Sequence, residues 1–280
     1  MTYQLEDVAP ELSVAVRFAL AAVGLLALAA ARGQRLRFAA RDHLALALQG
    51  VFLYGVSYVC VYQAERYVAS GLVAVGYSAS PLIVGIAAAM LFKAPIGLRF
   101  VCGGSLGLLG VALIFWPDLT GPSGNERAAL GALFTVASVL LSSVGSLTAS
   151  RNRSRGLPLL AAMGWGMAYG ALAALLLALV LGRSLTLPSS LGWWLALLYL
   201  VLAGSVLAFA CFLTLQDRVG VGRAGAVGVM TPLLALVVSL LWEGFRPTPL
   251  TFAGAALAVV GNAMMLLPPT PATSAAPAEG

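Results

Sequence analysis

An all-α integral membrane bundle of inverted helical repeats is the fold class that the sequence predicts, and three observations carry the prediction. First, 61% of the 280 residues are hydrophobic and 9% are charged, with a mean hydropathy of +0.97. A soluble domain of this size cannot wrap such a composition around a core, so the bilayer must be its solvent. Second, nine apolar stretches are long enough, at about 20 residues, for a helix to cross a hydrocarbon core of roughly 30 Å. Third, the chain meets itself after a shift of 151 positions: Ser80-Pro81-Leu82 falls on Thr231-Pro232-Leu233, Gly103 on Gly254, Gly110 on Gly261, Pro117 on Pro268 and Tyr58 on Phe209.

The opening MTYQLEDVAPELS carries Glu6, Asp7 and Glu11 and lacks the basic start of a secretory signal, so the first span is expected to stay in the protein. Nine spans are then placed at about 12–31, 44–63, 68–92, 98–116, 129–149, 158–181, 191–214, 221–242 and 250–267. The closing 269–280, rich in Pro and Ala without apolar period, is expected to be a disordered tail. Residues 1–117 form a first repeat of four helices and 128–268 a second of five. The fifth span has no partner, so the first repeat lacks its first helix, which would lie upstream of Met1. Truncation, a misplaced start and a genuine nine-helix form are the readings of that absence, and an extra linker helix between two four-helix units is the alternative.

Basic residues near span ends resist translocation and collect on the cytoplasmic side. Alternate gaps separate clearly: eleven Lys and Arg, from Arg32 to Arg223, lie on one side, against Arg66, Arg127, Arg183 and Arg246 on the other. This places the C-terminus in the cytoplasm and, with nine spans, the present N-terminus outside, and it makes the repeats inverted. Halves that repeat in this way favour a carrier, because they can rock about a shared site near the midplane.

Within the spans, Pro81 and Pro232 each remove a helical hydrogen bond and crowd the preceding turn. Beside Gly71, Gly76, Gly222, Gly225 and Gly228, they read either as paired gating hinges or as packing kinks. Polar and amphipathic side chains at depth mark the candidate site, since hydrocarbon gives them no partners. Tyr54 and Tyr58 stand at i and i+4 on one face. Tyr77 lies near the midplane with Ser80 three residues on, and Trp165 and Tyr169 repeat the i, i+4 spacing. Together they would make an apolar box with hydroxyl and indole donors, suited to a small amphipathic or zwitterionic solute. Each aromatic taken singly also reads as packing. Trp116, Trp193, Trp194 and Trp242 are assigned to the interfacial belt.

Ser138, Ser142, Ser146 and Ser150 step down one face, and Gly103 with Gly107 and Gly166 with Gly170 form GxxxG pairs that let helices approach closely. The serines read as packing or as a pore lining. Arg17, about two turns into the first span, reads as snorkelling or as a carboxylate receptor. Asn262 is expected to bond a neighbouring helix. Cys60, Cys102 and Cys211 lie in apolar stretches without CxxC spacing and are expected to be buried, inert thiols.

The order of spans, the Arg17-Phe18 pair, the segment from Ala64 to Pro81 and the duplicated Pro helices resemble the drug/metabolite transporter superfamily, EamA-like branch. The resemblance covers residues 4–268. It implies ten helices in two inverted five-helix repeats, both termini cytoplasmic, and export of small metabolites such as amino acids through a central cavity. This chain departs from it in the missing first helix and in Lys93 beside Phe92, the position that pairs with Glu243.

Other classes find less support. No Asp or Glu stands at mid-depth, so no carboxylate proton carrier is apparent. His43 is the single histidine, which excludes a histidine cluster for metal or acid-base work. No base or metal set is placed to activate Ser or Tyr for an intramembrane enzyme. A P-loop GxxxxGK[ST] is absent, and no charged or carbonyl-lined constriction marks a channel. The expectation is a secondary transporter for a small-molecule substrate in a lipid bilayer, with no cofactor, no metal and no nucleic acid. A channel, an intramembrane enzyme and a truncated inactive carrier are the alternatives, and the oligomeric state is open.

Overall fold

Hydrocarbon offers a backbone no hydrogen-bond partners, so an apolar stretch in it must satisfy its own N–H and C=O groups as a helix. The computed structural model describes residues 8–92, 97–120, 125–219 and 247–266, together with 234, 237, 238, 240 and 241. Among these residues every regular element is helical. Seven helical stretches are long and apolar enough to cross a membrane, and an eighth, shorter one spans Pro249–Met265. The predicted span 221–242 lies almost wholly outside the described residues. So do Thr231, Pro232, Leu233, Gly222, Gly225, Gly228, Lys93, Trp242, Glu243 and the tail 269–280.

In chain order the helices are α1 Pro10–Ala31, α2 Ala40–Gly50, α3 Val56–Ala64, α4 Ser70–Gly76, α5 Ser80–Phe92, α6 Leu98–Thr120 and α7 Asn125–Ser154. After them come α8 Leu159–Val180, α9 Leu191–Tyr199, α10 Ala208–Val219 and α11 Pro249–Leu266. Pro10 opens α1, a position where its missing N–H is not needed. The helix therefore begins two residues earlier than expected, and Glu11 is inside it and buried. Gly182, with φ of 61°, closes α8 in the left-handed conformation that lets Arg183 N–H reach back to the Ala178 carbonyl at 2.9 Å.

Three predicted single spans are interrupted. Val51–Gly55 is a π-helical segment between α2 and α3, and Leu200–Leu207 is another between α9 and α10. Shifted by 151 positions, 51–55 becomes 202–206, inside the second segment. The third span is broken by a 3-10 turn, Tyr77–Ala79, directly before α5. Pro81 accounts for it: the proline cannot donate to the Tyr77 carbonyl four residues back and its ring crowds that carbonyl, so the turn tightens there.

Close approach of helix backbones holds the bundle together. In the α6–α11 pair, a Cβ on Gly103 would lie 2.5 Å from the Gly261 oxygen, and a Cβ on Gly254 would lie 2.5 Å from the Gly110 oxygen. These two contacts exchange under the 151-residue shift, as an inverted two-fold relation requires. Gly166 and Gly170 of α8 receive Gly50 and Gly55 in the same manner, with a Cβ on Gly55 falling 2.8 Å from the Gly170 oxygen. Such contacts favour dispersion and weak hydrogen bonding between helices that lipid cannot drive together.

The main core gathers Phe18, Leu25, Tyr54, Tyr62, Met163, Met167 and Leu197. Trp193 belongs to it too at 3% exposure, so this residue packs in the core rather than in an interfacial belt. Its neighbour Trp194 is exposed, as is Trp116. The perimeter presents Val23, Leu133, Leu172 and Leu202, the apolar surface that a lipid-embedded bundle needs. Cys60 is buried, whereas Cys102 and Cys211 are exposed, which corrects the expectation for two of the three thiols. A spacing along one helix shows depth but not which way a residue faces.

Candidate functional site

The polar centre of the bundle is built around Arg17. Eight residues into α1, its side chain is buried at 1% exposure. It does not snorkel outward. Its Nε donates to Ser205 Oγ at 2.9 Å, and its Nη1 donates to Tyr62 Oη at 3.4 Å. The guanidinium carbon lies 5.0 Å from the Tyr58 ring centroid and 5.2 Å from that of Phe18, within range of cation–π attraction.

Aromatic rings continue from this point. Phe18 meets Tyr58 edge-on at 4.9 Å and Tyr54 at 5.5 Å. Tyr54 meets Phe209 edge-on at 4.9 Å. Tyr58 and Phe209, which occupy equivalent places in the two repeats, face each other at 6.0 Å. Tyr54 is fully buried, its ring pressed against Gly166 and its Cβ against Gly170, whereas Tyr58 is half-buried.

Tyr77, in the 3-10 turn, has Tyr58 as an electrostatic neighbour and the hydroxyls of Ser138 and Ser142 as side-chain partners. Ser80 and Ser143 share a hydrogen bond at 3.2 Å. Gln216 Nε2 donates to Ser146 Oγ at 2.8 Å. The serine face of α7 thus turns inward, but several hydroxyls donate to their own helix: Ser138 to the Thr135 carbonyl and Ser142 and Ser143 to the Val139 carbonyl. They serve as acceptors toward the centre.

Trp165 and Tyr169 stand apart from this group. The Trp165 indole donates to the Leu36 carbonyl at 3.0 Å, and Tyr169 Oη lies 3.0 Å from His43 Nδ1. His43 meets Trp165 edge-on at 4.9 Å. This pair therefore closes the α2 end of the bundle, while Tyr54, Tyr58, Tyr77 and Ser80 approach the centre. Pro81 stands half-buried one residue beyond Ser80.

Each end of the bundle carries a polar layer. At the α1 N-terminus, Glu11 accepts from Gln63 Nε2 at 3.0 Å and pairs with Arg183 at 3.6 Å. At the opposite end, Arg153 pairs with Asp217 at 2.7 Å and Asn152 donates to Gln49 at 2.9 Å. Asn262 is fully buried, and neither amide atom meets a partner among the described residues, contrary to the expected interhelical bond. No group of three or more potential metal ligands is found among the described residues.

Sequence reasoning missed Ser205, Tyr62 and Gln216. A signal existed for the first two. Ser205 falls on Tyr54 under the 151-residue shift, and Tyr62 extends the i, i+4 ladder of Tyr54 and Tyr58.

Known proteins resemble this chain. The EamA-like transporter family matches residues 1–116 and 129–267. "Uncharacterized transporter YdfC" of Bacillus subtilis is 24% identical over 259 residues, covering 92% of this chain and 82% of its own length. "Uncharacterized transporter sll0355" of Synechocystis is 29% identical over 203 residues, covering 68% and 61%. "Protein PagO" of Salmonella typhimurium is 23% identical over 250 residues, covering 84% and 77%. One solved crystal structure superposes with a TM-score of 0.70 at 22% identity, over 94% of this chain and 89% of the other, a likeness of fold.

Proposed function

The chain belongs to the EamA-like transporter family, a multi-pass membrane transporter, and on that premise we propose that it exports small neutral or zwitterionic metabolites, amino acids foremost. In this reading it works by alternating access across a bacterial inner membrane, with its C-terminus in the cytoplasm. The observation that carries the reading is the meeting of Tyr58 with Phe209 beside Arg17. Equivalent positions of the two repeats come together there, on a face that offers rings, hydroxyls and one cation. Rings accept the apolar part of a small solute, and the hydroxyls and guanidinium fix its polar end.

Tyr54, Tyr58, Tyr77 and Ser80 are the binding residues of this proposal, and Trp165 with Tyr169 acts at the α2 mouth. Pro81 keeps a tight turn directly beside Tyr77, so bending there would move a binding residue. Pro232 takes the same role by its equivalence to Pro81. The orientation of the chain rests on the eleven-to-four distribution of basic residues between alternate gaps, and the export direction on the resemblance to metabolite exporters.

Radiolabelled amino acids presented to inside-out membrane vesicles and to proteoliposomes of the purified chain test the reading. Saturable movement of one or more neutral amino acids, inward in inside-out vesicles, is expected. Movement of none of them, with flux of another solute class, would replace the substrate assignment.

A further inference from the structure

The donors of Arg17 are only partly used. A guanidinium has five N–H groups. Here Nε–H goes to Ser205 and one Nη1–H goes to Tyr62 over a long 3.4 Å. The Tyr58 hydroxyl is a further side-chain partner of the guanidinium, which still leaves donors over, and no carboxylate among the described residues lies within ion-pair distance of this side chain. Buried charges are ordinarily paired, because desolvation without compensation is costly. Nη2 packs close to the helix at Gly204, where a Cβ would lie 3.0 Å from it. The repeat-equivalent residue is Leu53, so the first half of the molecule carries a side chain where the second carries none.

We infer that Arg17, with Ser205 fixing its Nε and Gly204 placing no side chain against its Nη2, is the receptor for the carboxylate group of the transported solute. The fork formed by Nη1 and Nη2 matches two carboxylate oxygens in a bidentate pair, a geometry that a lysine cannot reproduce. Ser205 holds Nε, and Nη2 lies along the same π-helical segment at Gly204. The Tyr62 bond, already long, is the one a carboxylate displaces. Phe18 and Tyr58 then line the apolar part of the solute next to the charge. The inference rests on the proposed function and narrows it to solutes carrying a free carboxylate.

The test uses the purified full chain and four probes: L-leucine, L-leucinamide, 4-methylpentanoate and 4-methylpentanamide. Thermal stabilisation reports apparent affinity for each, and proteoliposome uptake reports transport of the labelled forms. The expected result is that each acid binds at least about tenfold more tightly than its amide. R17Q brings the two ratios near one by weakening the acids alone, and R17K restores only part of the preference. Gly204→Ala, which crowds Nη2, lowers acid affinity without touching the amides and serves where R17Q does not fold. Unchanged acid preference in R17Q or Gly204→Ala overturns the inference, as does binding of neither acid by the unaltered chain. Leucine transport with Arg17 indifferent would leave the proposed function standing alone. Arg17-dependent binding of 4-methylpentanoate without any amino acid transport would remove the amino-acid assignment and keep the receptor.

Discussion

A guanidinium buried in a membrane helix is costly, up to about 2.5 to 3.5 kcal/mol at the helix centre by insertion scales, and the groups touching Arg17, two turns into α1, offset that cost. Ser205, Tyr62 and the two rings do so only in part. Tyr77 is the other residue on which the account depends, because its hydroxyl reaches Ser138 and Ser142 from a turn that Pro81 creates. Tyr77→Ala is expected to lower transport about tenfold, a loss of about 1.4 kcal/mol, with yield and melting temperature close to those of the unaltered chain. A collapse in yield would make Tyr77 a packing residue. The residue level was legible in part. Tyr54 and Tyr58 stood out through their spacing, but Ser205 enters from more than 180 residues away in the sequence from Arg17. Trp165 and Tyr169 have suitable depth, yet their direction around α8, toward His43 and Leu36, cannot be read from depth.

At the scale of elements, the helices were legible because apolar length and loop charge are properties of composition. The π-helical segments at Val51–Gly55 and Leu200–Leu207 were not. Such a segment changes hydrogen-bond register without changing hydropathy, so a span containing one reads as an unbroken helix. The 3-10 turn was half visible, since Pro81 announced a disturbance but not its form. Pro81→Ala would supply an N–H to the Tyr77 carbonyl and let α4 run into α5. Turnover is expected to slow several-fold while binding is nearly kept, and Pro232→Ala is expected to act alike. Wild-type turnover in both variants would remove the hinge. The glycine contacts of α6 and α11 yield a separate prediction. Gly103→Leu and Gly254→Leu each place a side chain on a carbonyl oxygen 2.5 Å away, and overpacking of this kind costs about 1 to 3 kcal/mol. Because the two contacts exchange under the repeat, both variants should lower the melting temperature by similar amounts. A large drop in one and none in the other would break the proposed equivalence.

At the scale of the whole molecule, the repeat supplies two half-structures and the closing contacts lie at both ends. Glu11 with Arg183 ties α1 to the end of α8, and Arg153 with Asp217 ties α7 to α10. An alternating-access cycle would loosen one of these layers while the other stays shut. The 151-residue shift makes the repeat legible in the sequence, because repeats leave matched Pro and Gly positions. The shift also pairs Leu53 and Tyr54 of one half with Gly204 and Ser205 of the other, but does not show that the latter two meet Arg17. A carrier and a channel separate most directly in counterflow. Proteoliposomes of the purified chain are loaded with unlabelled leucine, and uptake of a trace of labelled leucine is followed over time. The account predicts a transient overshoot of label several-fold above equilibrium that saturates with internal leucine. Uptake that rises only to equilibrium, unaffected by the internal load and linear in concentration, would contradict alternating access.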